Sequence, residues 1–251
     1  MKFVRIALLT LFTCTTFAYA QTSAPPAPPA AQPADVPAIK MTKGEPNARF
    51  MELHNKFLDE AKAGNIDLLF LGDSITEGWS GNGKEVWKER YSDMHAANFG
   101  IGGDKTQHVL WRIENGELEN IHPKVCVLMI GTNNIGSNSV ANIAQGVEDI
   151  VKTVRDKTGA KVLLLGVFPR GKTPDAPKDA KARAAVAGIN EIIAKMDDGK
   201  NIRYLDIGDK FLQPDKTISQ DIMHDYLHPS DKGYVIWADA MAPLLKEMMG
   251  N

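Results

Sequence analysis

From about residue 46 onward, the apolar positions of this chain alternate between two patterns. Phe50, Leu53, Phe57 and Ala61 recur at helical spacing and stop before Gly64, which predicts an amphipathic helix closed by a glycine. Asp67-Leu68-Leu69-Phe70-Leu71-Gly72 is instead a continuous apolar run, the mark of a strand buried on both faces. Runs of the same kind fall at Ala96–Phe99, Val125–Ile130, Val162–Val167 and Ile202–Leu205. Helical patterns lie between and after them, near Thr106–Asn115, Val140–Lys157, Asp179–Met196 and Gly233–Met249. Strands that alternate with helices and carry no polar face build a parallel sheet covered on both sides. The pattern therefore predicts one α/β domain over residues 46–251, a three-layer α/β/α sandwich around a five-stranded parallel sheet of the flavodoxin-like kind. The chain has no 20–50-residue repeat, which sets solenoids and propellers aside.

The chain ahead of residue 46 reads differently. A basic start, Met1-Lys2-Phe3-Val4-Arg5, leads into an apolar run from Ile6 to Phe17 and then Ala18-Tyr19-Ala20. That is the pattern of a signal peptide over 1–20 cleaved near Ala20, with an apolar stretch too short to span a bilayer. The expectation is an exported protein, periplasmic or secreted, with no transmembrane anchor in the mature chain. Residues 21–45 are rich in Pro and Ala, which predicts an extended linker unable to form a core. Removal of the signal would also remove Cys14, leaving Cys126 alone and no intramolecular disulfide. Cys126 sits in an apolar strand run and reads as a small core hydrophobe.

Charge narrows the partners. Lys and Arg number 29 against 31 Asp and Glu, a formal net charge of -2. No basic field argues for nucleic acid or an anionic membrane surface, so a small-molecule, glycan or lipid partner is expected. The sequence leaves a homodimer open.

In open parallel sheets, ligands bind beyond the carboxyl ends of the strands. Four such ends carry polar clusters: Gly72-Asp73-Ser74, the Asn98–Asp104 segment, Gly131-Thr132-Asn133-Asn134 and Asp225-Tyr226-Leu227-His228. Acyl transfer through a serine needs a nucleophile, a base, an acid that orients the base, and donors for the tetrahedral oxyanion. Ser74 follows a glycine at a strand end, where a turn exposes its hydroxyl. Asp225 stands three residues before His228, a spacing that lets its carboxylate fold back onto Nδ1 and leaves Nε2 facing Ser74. Donors are available from the Ser74 N–H, an N–H of the Gly102-Gly103 pair and the Asn133 amide.

Gly72-Asp73-Ser74, Gly103, Gly131-Thr132-Asn133 and Asp225-x-x-His228 resemble, in chain order, the four blocks of the SGNH/GDSL hydrolase superfamily. The wider stretches NFGIGGDKTQHVLWRIENGELENIHPKVCVLMIGTNN and DYLHPSDKGY are similar, more narrowly, to the catalytic-subunit-like esterases of the platelet-activating-factor acetylhydrolases, a likeness running from about Phe50 to Leu245. The resemblance implies catalysis by Ser74, Asp225 and His228, with Ser74, Gly103 and Asn133 forming the oxyanion hole. It implies no metal and no organic cofactor. The serine block is Gly-Asp-Ser-Ile rather than Gly-Asp-Ser-Leu, a conservative departure. The substrate it points to is a small acyl ester, an acetyl ester above all, of a carbohydrate or a lipid.

Other residues have plainer readings. Asp73 is expected to anchor loop backbone rather than to act as a catalytic acid. Asn134 competes with Asn133 for the oxyanion role. His54, His95, His108, His122 and His224 lack clustered partners at metal-ligand spacing and read as surface or packing residues. Trp79 and Trp111 read as packing. The Gly100-x-Gly102-Gly103 run lacks dinucleotide-binding spacing, and the chain has no G-x-S-x-G elbow. A transferase passing the acyl group to a glycan, and a glycan-binding module without turnover, remain alternatives.

Overall fold

The computed structural model describes residues 31–250. A short hairpin, β1 (Met41–Thr42) and β2 (Glu45–Pro46), precedes helix α1 (Ala48–Ala63). The strands β3 (Leu68–Gly72), β4 (Ala96–Gly100), β5 (Val125–Met129), β6 (Lys161–Leu165) and β7 (Ile202–Leu205) pair in the order β4-β3-β5-β6-β7. Every pairing in that sheet is parallel. The fold is the expected three-layer α/β/α sandwich.

Period-two alternation explains why the strand runs are continuously apolar. Leu69, Leu71, Cys126, Leu128, Val162 and Leu164 enter the core on one face of the sheet. Leu68, Phe70, Val125, Val127, Leu163 and Leu165 enter a second core on the other. The first face is covered by α1, α4 (Thr106–Arg112), α5 (Val140–Thr158) and α6 (Pro177–Ile193). The second is covered by α3 (Lys84–Arg90) and α7 (Asp231–Met249). Buried on both sides, a strand has no polar face to show. Cys126 is core, and burial pushes its thiol up to about 12.

Helix ends follow local chemistry. Asn47 accepts the Phe50 N–H at the start of α1, Ser139 accepts that of Asn142 at the start of α5, and Ser230 accepts that of Gly233 at the start of α7. Helix α3 was not predicted: KEVWKER carries too few apolar positions to show a helical period.

The signal-peptide expectation, and the linker expectation as far as residue 30, lie outside the described residues. From Gln32 onward the linker expectation needs correction, because the chain is docked rather than free. Ala34 is fully buried, its N–H donating to Asn142 Oδ1 (2.8 Å) and its carbonyl accepting from the Thr106 hydroxyl (2.6 Å). The Asn142 amide reaches Asp35, and the Ala38 N–H donates to the Gln107 carbonyl (3.0 Å). Small, rigid residues fit the shallow seam between α4 and α5, and their polar backbone finds partners there. The folded unit thus begins ahead of residue 46. Among the described residues, no helix is long and apolar enough to cross a membrane.

Candidate active site

The chain visits β3, crosses to β4, then returns past β3 to β5. The ends of β3 and β5 flank the resulting switch point, where ligands of doubly wound sheets bind. Ser74 opens a four-residue helix, α2 (Ser74–Glu77), directly after β3. Gly72 makes that turn sterically feasible: a Cβ there would lie 2.2 Å from the Thr76 hydroxyl oxygen and 2.4 Å from the Met129 carbonyl oxygen. Asp73 caps the helix, its Oδ1 accepting the Ile75 N–H (2.9 Å), which is the backbone-anchoring task expected of it.

Ser74 Oγ lies 2.9 Å from His228 Nε2, and His228 Nδ1 lies 2.7 Å from Asp225 Oδ2. With the imidazole proton on Nδ1, His228 donates to Asp225 and accepts from Ser74. Asp225 also accepts the backbone N–H groups of His228 (2.7 Å) and Leu227 (3.1 Å), so the loop itself aims the carboxylate. Tyr226 stands between them at φ 63, a left-handed conformation that tightens the turn. Burial works to raise the Asp225 pKa, but the hydrogen bonds from His228 and Leu227 outweigh it and hold the carboxyl below its usual range. The three residues expected to form a relay are therefore brought together as one.

The glycine loop stands beside this relay. A Cβ at Gly102 would sit 3.8 Å from Ser74 Cβ. The Gly102 N–H is not free, because Glu77 Oε2 accepts it at 2.8 Å. Gly103, at φ 73, turns the next peptide, and neither its N–H nor that of Ser74 finds an acceptor among the described residues. Asn133 Nδ2 donates to the Asp104 carbonyl (2.9 Å) and approaches Asp73 Oδ2 (3.4 Å), tying it to the neighbours of both Gly103 and Ser74. Asn134 is occupied elsewhere, accepting the Thr106 N–H (3.0 Å) and donating to Gln107 (2.9 Å) and Asn138 (3.1 Å). A nucleophile, a base with its orienting acid, and two unpaired N–H groups beside them are the parts of an acyl-transfer site.

Residues 70–236 match the model of the GDSL-like lipase/acylhydrolase family. The chain belongs to that family. It is 37% identical over 223 residues to platelet-activating factor acetylhydrolase IB subunit alpha1 of Bos taurus, covering 88% of this chain and 90% of the relative. Among solved structures it is similar to a putative acylhydrolase from Bacteroides fragilis (TM-score 0.65, 19% identity, 78% of this chain and 96% of that one). It is also similar to an acetylxylan esterase from Geobacillus stearothermophilus (TM-score 0.54, 18% identity, 73% and 93%). As a member of this acylhydrolase family, the protein is a hydrolase of ester bonds.

Close to Ser74 runs a buried charge network absent from the sequence reading. Arg112 is fully buried, its Nε donating to Asp104 Oδ2 (2.9 Å) and its Nη1 to Glu117. Its Nη2 donates to the carbonyls of Phe99 (3.1 Å) and Gly72 (3.3 Å), at the ends of β4 and β3. His54 extends the network, Nδ1 lying 2.8 Å from Glu117 Oε1. Lys40 closes it from the docked N-terminal segment, its ammonium donating to the Gly102 carbonyl and lying 3.5 Å from Asp104 Oδ1. Burial raises Asp104 to about 6, against the opposing charges of Arg112 and Lys40. Burial also drives His108 down to about 3; its Nδ1 accepts the Lys105 N–H, so its 3.9 Å approach to Asp104 is not an ion pair.

One expectation about histidine changes. His54 and His108 are buried and pack against Phe50, as the packing reading expects, and they also join the polar network. His224, read as unclustered, lies with Nε2 4.0 Å from Asp225 Oδ2, and His224, Asp225 and His228 offer ligand atoms within 4.8 Å of one another. A cation bound there would compete with the His228–Asp225 hydrogen bond. Trp79 packs among Phe70, Trp87, Tyr91, Tyr234 and Trp237, and Trp111 against Phe50 and His54, as expected of packing residues.

Proposed function

We propose that the protein cleaves a small acyl ester, an acetyl ester first of all, through an acyl-enzyme on Ser74, and that it does so outside the cytoplasm. The observation that carries this reading is the unbroken Ser74–His228–Asp225 hydrogen-bond relay beside the free Ser74 and Gly103 N–H groups. Ser74 Oγ attacks the ester carbonyl as His228 Nε2 takes its proton. The carbonyl oxygen becomes an oxyanion held by the two N–H groups and by the Asn133 amide, whose second hydrogen makes only the long 3.4 Å approach to Asp73. Collapse expels the alcohol, which recovers the proton from His228. Water then repeats the attack on the acyl-Ser74 ester, with His228 again as base, and releases the acid.

Acetyl is supported by the 37% identical relative, an acetylhydrolase. The acetylxylan esterase indicates only that this fold serves a carbohydrate ester in another protein. Export rests on the residue pattern over 1–20.

The test is hydrolysis of p-nitrophenyl acetate, butyrate and octanoate by the mature chain. The reading expects kcat/KM to fall along the series and activity in Ser74→Ala to drop by several orders of magnitude with the melting temperature kept. An octanoate preference would overturn the small-acyl part. Equal rates for wild type and Ser74→Ala would overturn the nucleophile.

A further inference from the structure

A groove of about 790 Å³ opens beside the acid–base loop, with Asp225, Tyr226 and Leu227 in its wall. Its other walls come from the Ile135–Val140 loop, the loop after β6 and the first turns of α6. In a chain of net charge -2, this groove gathers Arg170, Lys172, Lys178 and Lys181 against two acids, Asp179 and Asp225.

Both acids already have work. Asp225 holds His228 (2.7 Å), and Asp179 Oδ2 accepts the Thr173 N–H (3.3 Å). The cations are differently placed. Lys172, Lys178 and Lys181 are exposed and form no ion pair among the described residues. Lys172 Nζ lies 5.9 Å from the centre of the Tyr226 ring.

Lysines on an open face are ordinarily solvated and idle. Arg170 is what sets this groove apart. It is half-buried, and its Nη1 donates to the Thr132 carbonyl (3.0 Å) and hydroxyl (3.1 Å). The guanidinium is thereby fixed to the turn that carries Asn133, while its Nε and Nη2 make no bond among the described residues. A held guanidinium with free donors suits a carboxylate or a phosphate.

Position assigns the groove to one half of the substrate. His228 returns its proton to the departing alcohol, so the alcohol part lies on the His228 side of the scissile bond. The wall of the groove is the loop that carries His228.

We propose that this groove is a subsite for an anionic group, a carboxylate or a phosphate, on the alcohol part of the ester. The proposal rests on the esterase reading of Ser74. It selects acidic acetylated molecules over neutral ones without altering the chemistry at Ser74.

The experiment compares kcat/KM for three acetyl esters: a neutral acetylated xylo-oligosaccharide, an acetylated oligogalacturonate and acetyl glycerol phosphate. Each is measured at low ionic strength and in about 0.5 M NaCl, where exposed charges are screened. Wild type and Lys172→Gln/Lys181→Gln are run together, with Arg170→Gln as a second variant.

The expected result is that one anionic ester exceeds the neutral one by about tenfold at low salt. That ratio shrinks in salt and falls at least fivefold in the variants, and the favoured anion tells carboxylate from phosphate. An anionic-to-neutral ratio of one or less, or a ratio equal in all three proteins, overturns the subsite while neutral turnover keeps the esterase reading. Failure of wild type on all three esters would instead overturn the esterase reading, and the subsite with it.

Discussion

Glu77 Oε2 accepts the Gly102 N–H at 2.8 Å, while Arg49 grips the other oxygen of the same carboxylate. This bond divides the two glycine peptides by task. Gly102 is tied down, and the Gly103 N–H finds no acceptor among the described residues.

Glu77→Ala is therefore expected to lower kcat about tenfold to a hundredfold with a smaller change in KM, since a misplaced oxyanion donor is felt in the transition state. Glu77→Gln keeps a carbonyl acceptor and should recover part of the loss. Steady-state kinetics on p-nitrophenyl acetate decides it. Equal kcat in all three proteins would remove the loop from the account.

Lys40 restrains the same loop from the other side, through the Gly102 carbonyl and Asp104. Lys40→Met should lower kcat about tenfold and leave KM near its wild-type value, with partial rescue in Lys40→Arg. The result would make the docked segment a positioning element of the site. A rise in KM at constant kcat would point instead to direct contact with substrate.

Asp73 is fully buried, and burial lifts its pKa to about 7, helped by the charge of Asp104 and opposed by the Ile75 N–H. A carboxyl whose folded pKa is raised favours the protonated native state, so its contribution is fully present below about 4 and is lost as pH rises through about 7. His108, depressed to about 3, acts in the opposite sense, losing stability as pH falls from its ordinary range. Asp73→Asn retains the Oδ1 acceptor for Ile75 and isolates the Asp73 contribution. The melting temperature of the variant relative to wild type should rise between pH 5 and pH 8. Parallel melting curves across that range would contradict the assignment.

Arg112 joins Asp104, Glu117, Gly72 and Phe99 in a dry interior. Arg112→Met should destabilise the fold by about 3–5 kcal/mol, because it strands two buried carboxylates. Urea unfolding measures the loss. A change under about 1 kcal/mol would mean the acids are already neutral in the native state.

Two kinds of residue were legible in the sequence: those whose chemistry follows from near neighbours, and Ser74, Gly103 and Asn133, which local spacing could not join to a histidine 154 positions from Ser74 and which the resemblance to the SGNH/GDSL blocks singled out. The strand runs read correctly because burial on both faces removes alternation, and Asp225 and His228 were found because their pairing spans one turn of loop. The docked segment was misread because composition describes what a chain can do alone, while Ala34 is ordered by Asn142 and Thr106, more than 70 residues away. His54 and Glu117, 63 positions apart, were invisible as a pair for the same reason. Helix α3 escaped because its charged face is solvated and its few apolar residues find their partners in other elements, Trp87 packing on Phe70 and Trp79.

The central claim, that Ser74 is activated by His228, is tested most directly by labelling the mature protein with a fluorophosphonate and mapping the adduct by peptide mass. The account predicts one adduct on Ser74, abolished in Ser74→Ala and strongly slowed in His228→Ala. No adduct, or an adduct on another residue that persists in Ser74→Ala, would contradict it.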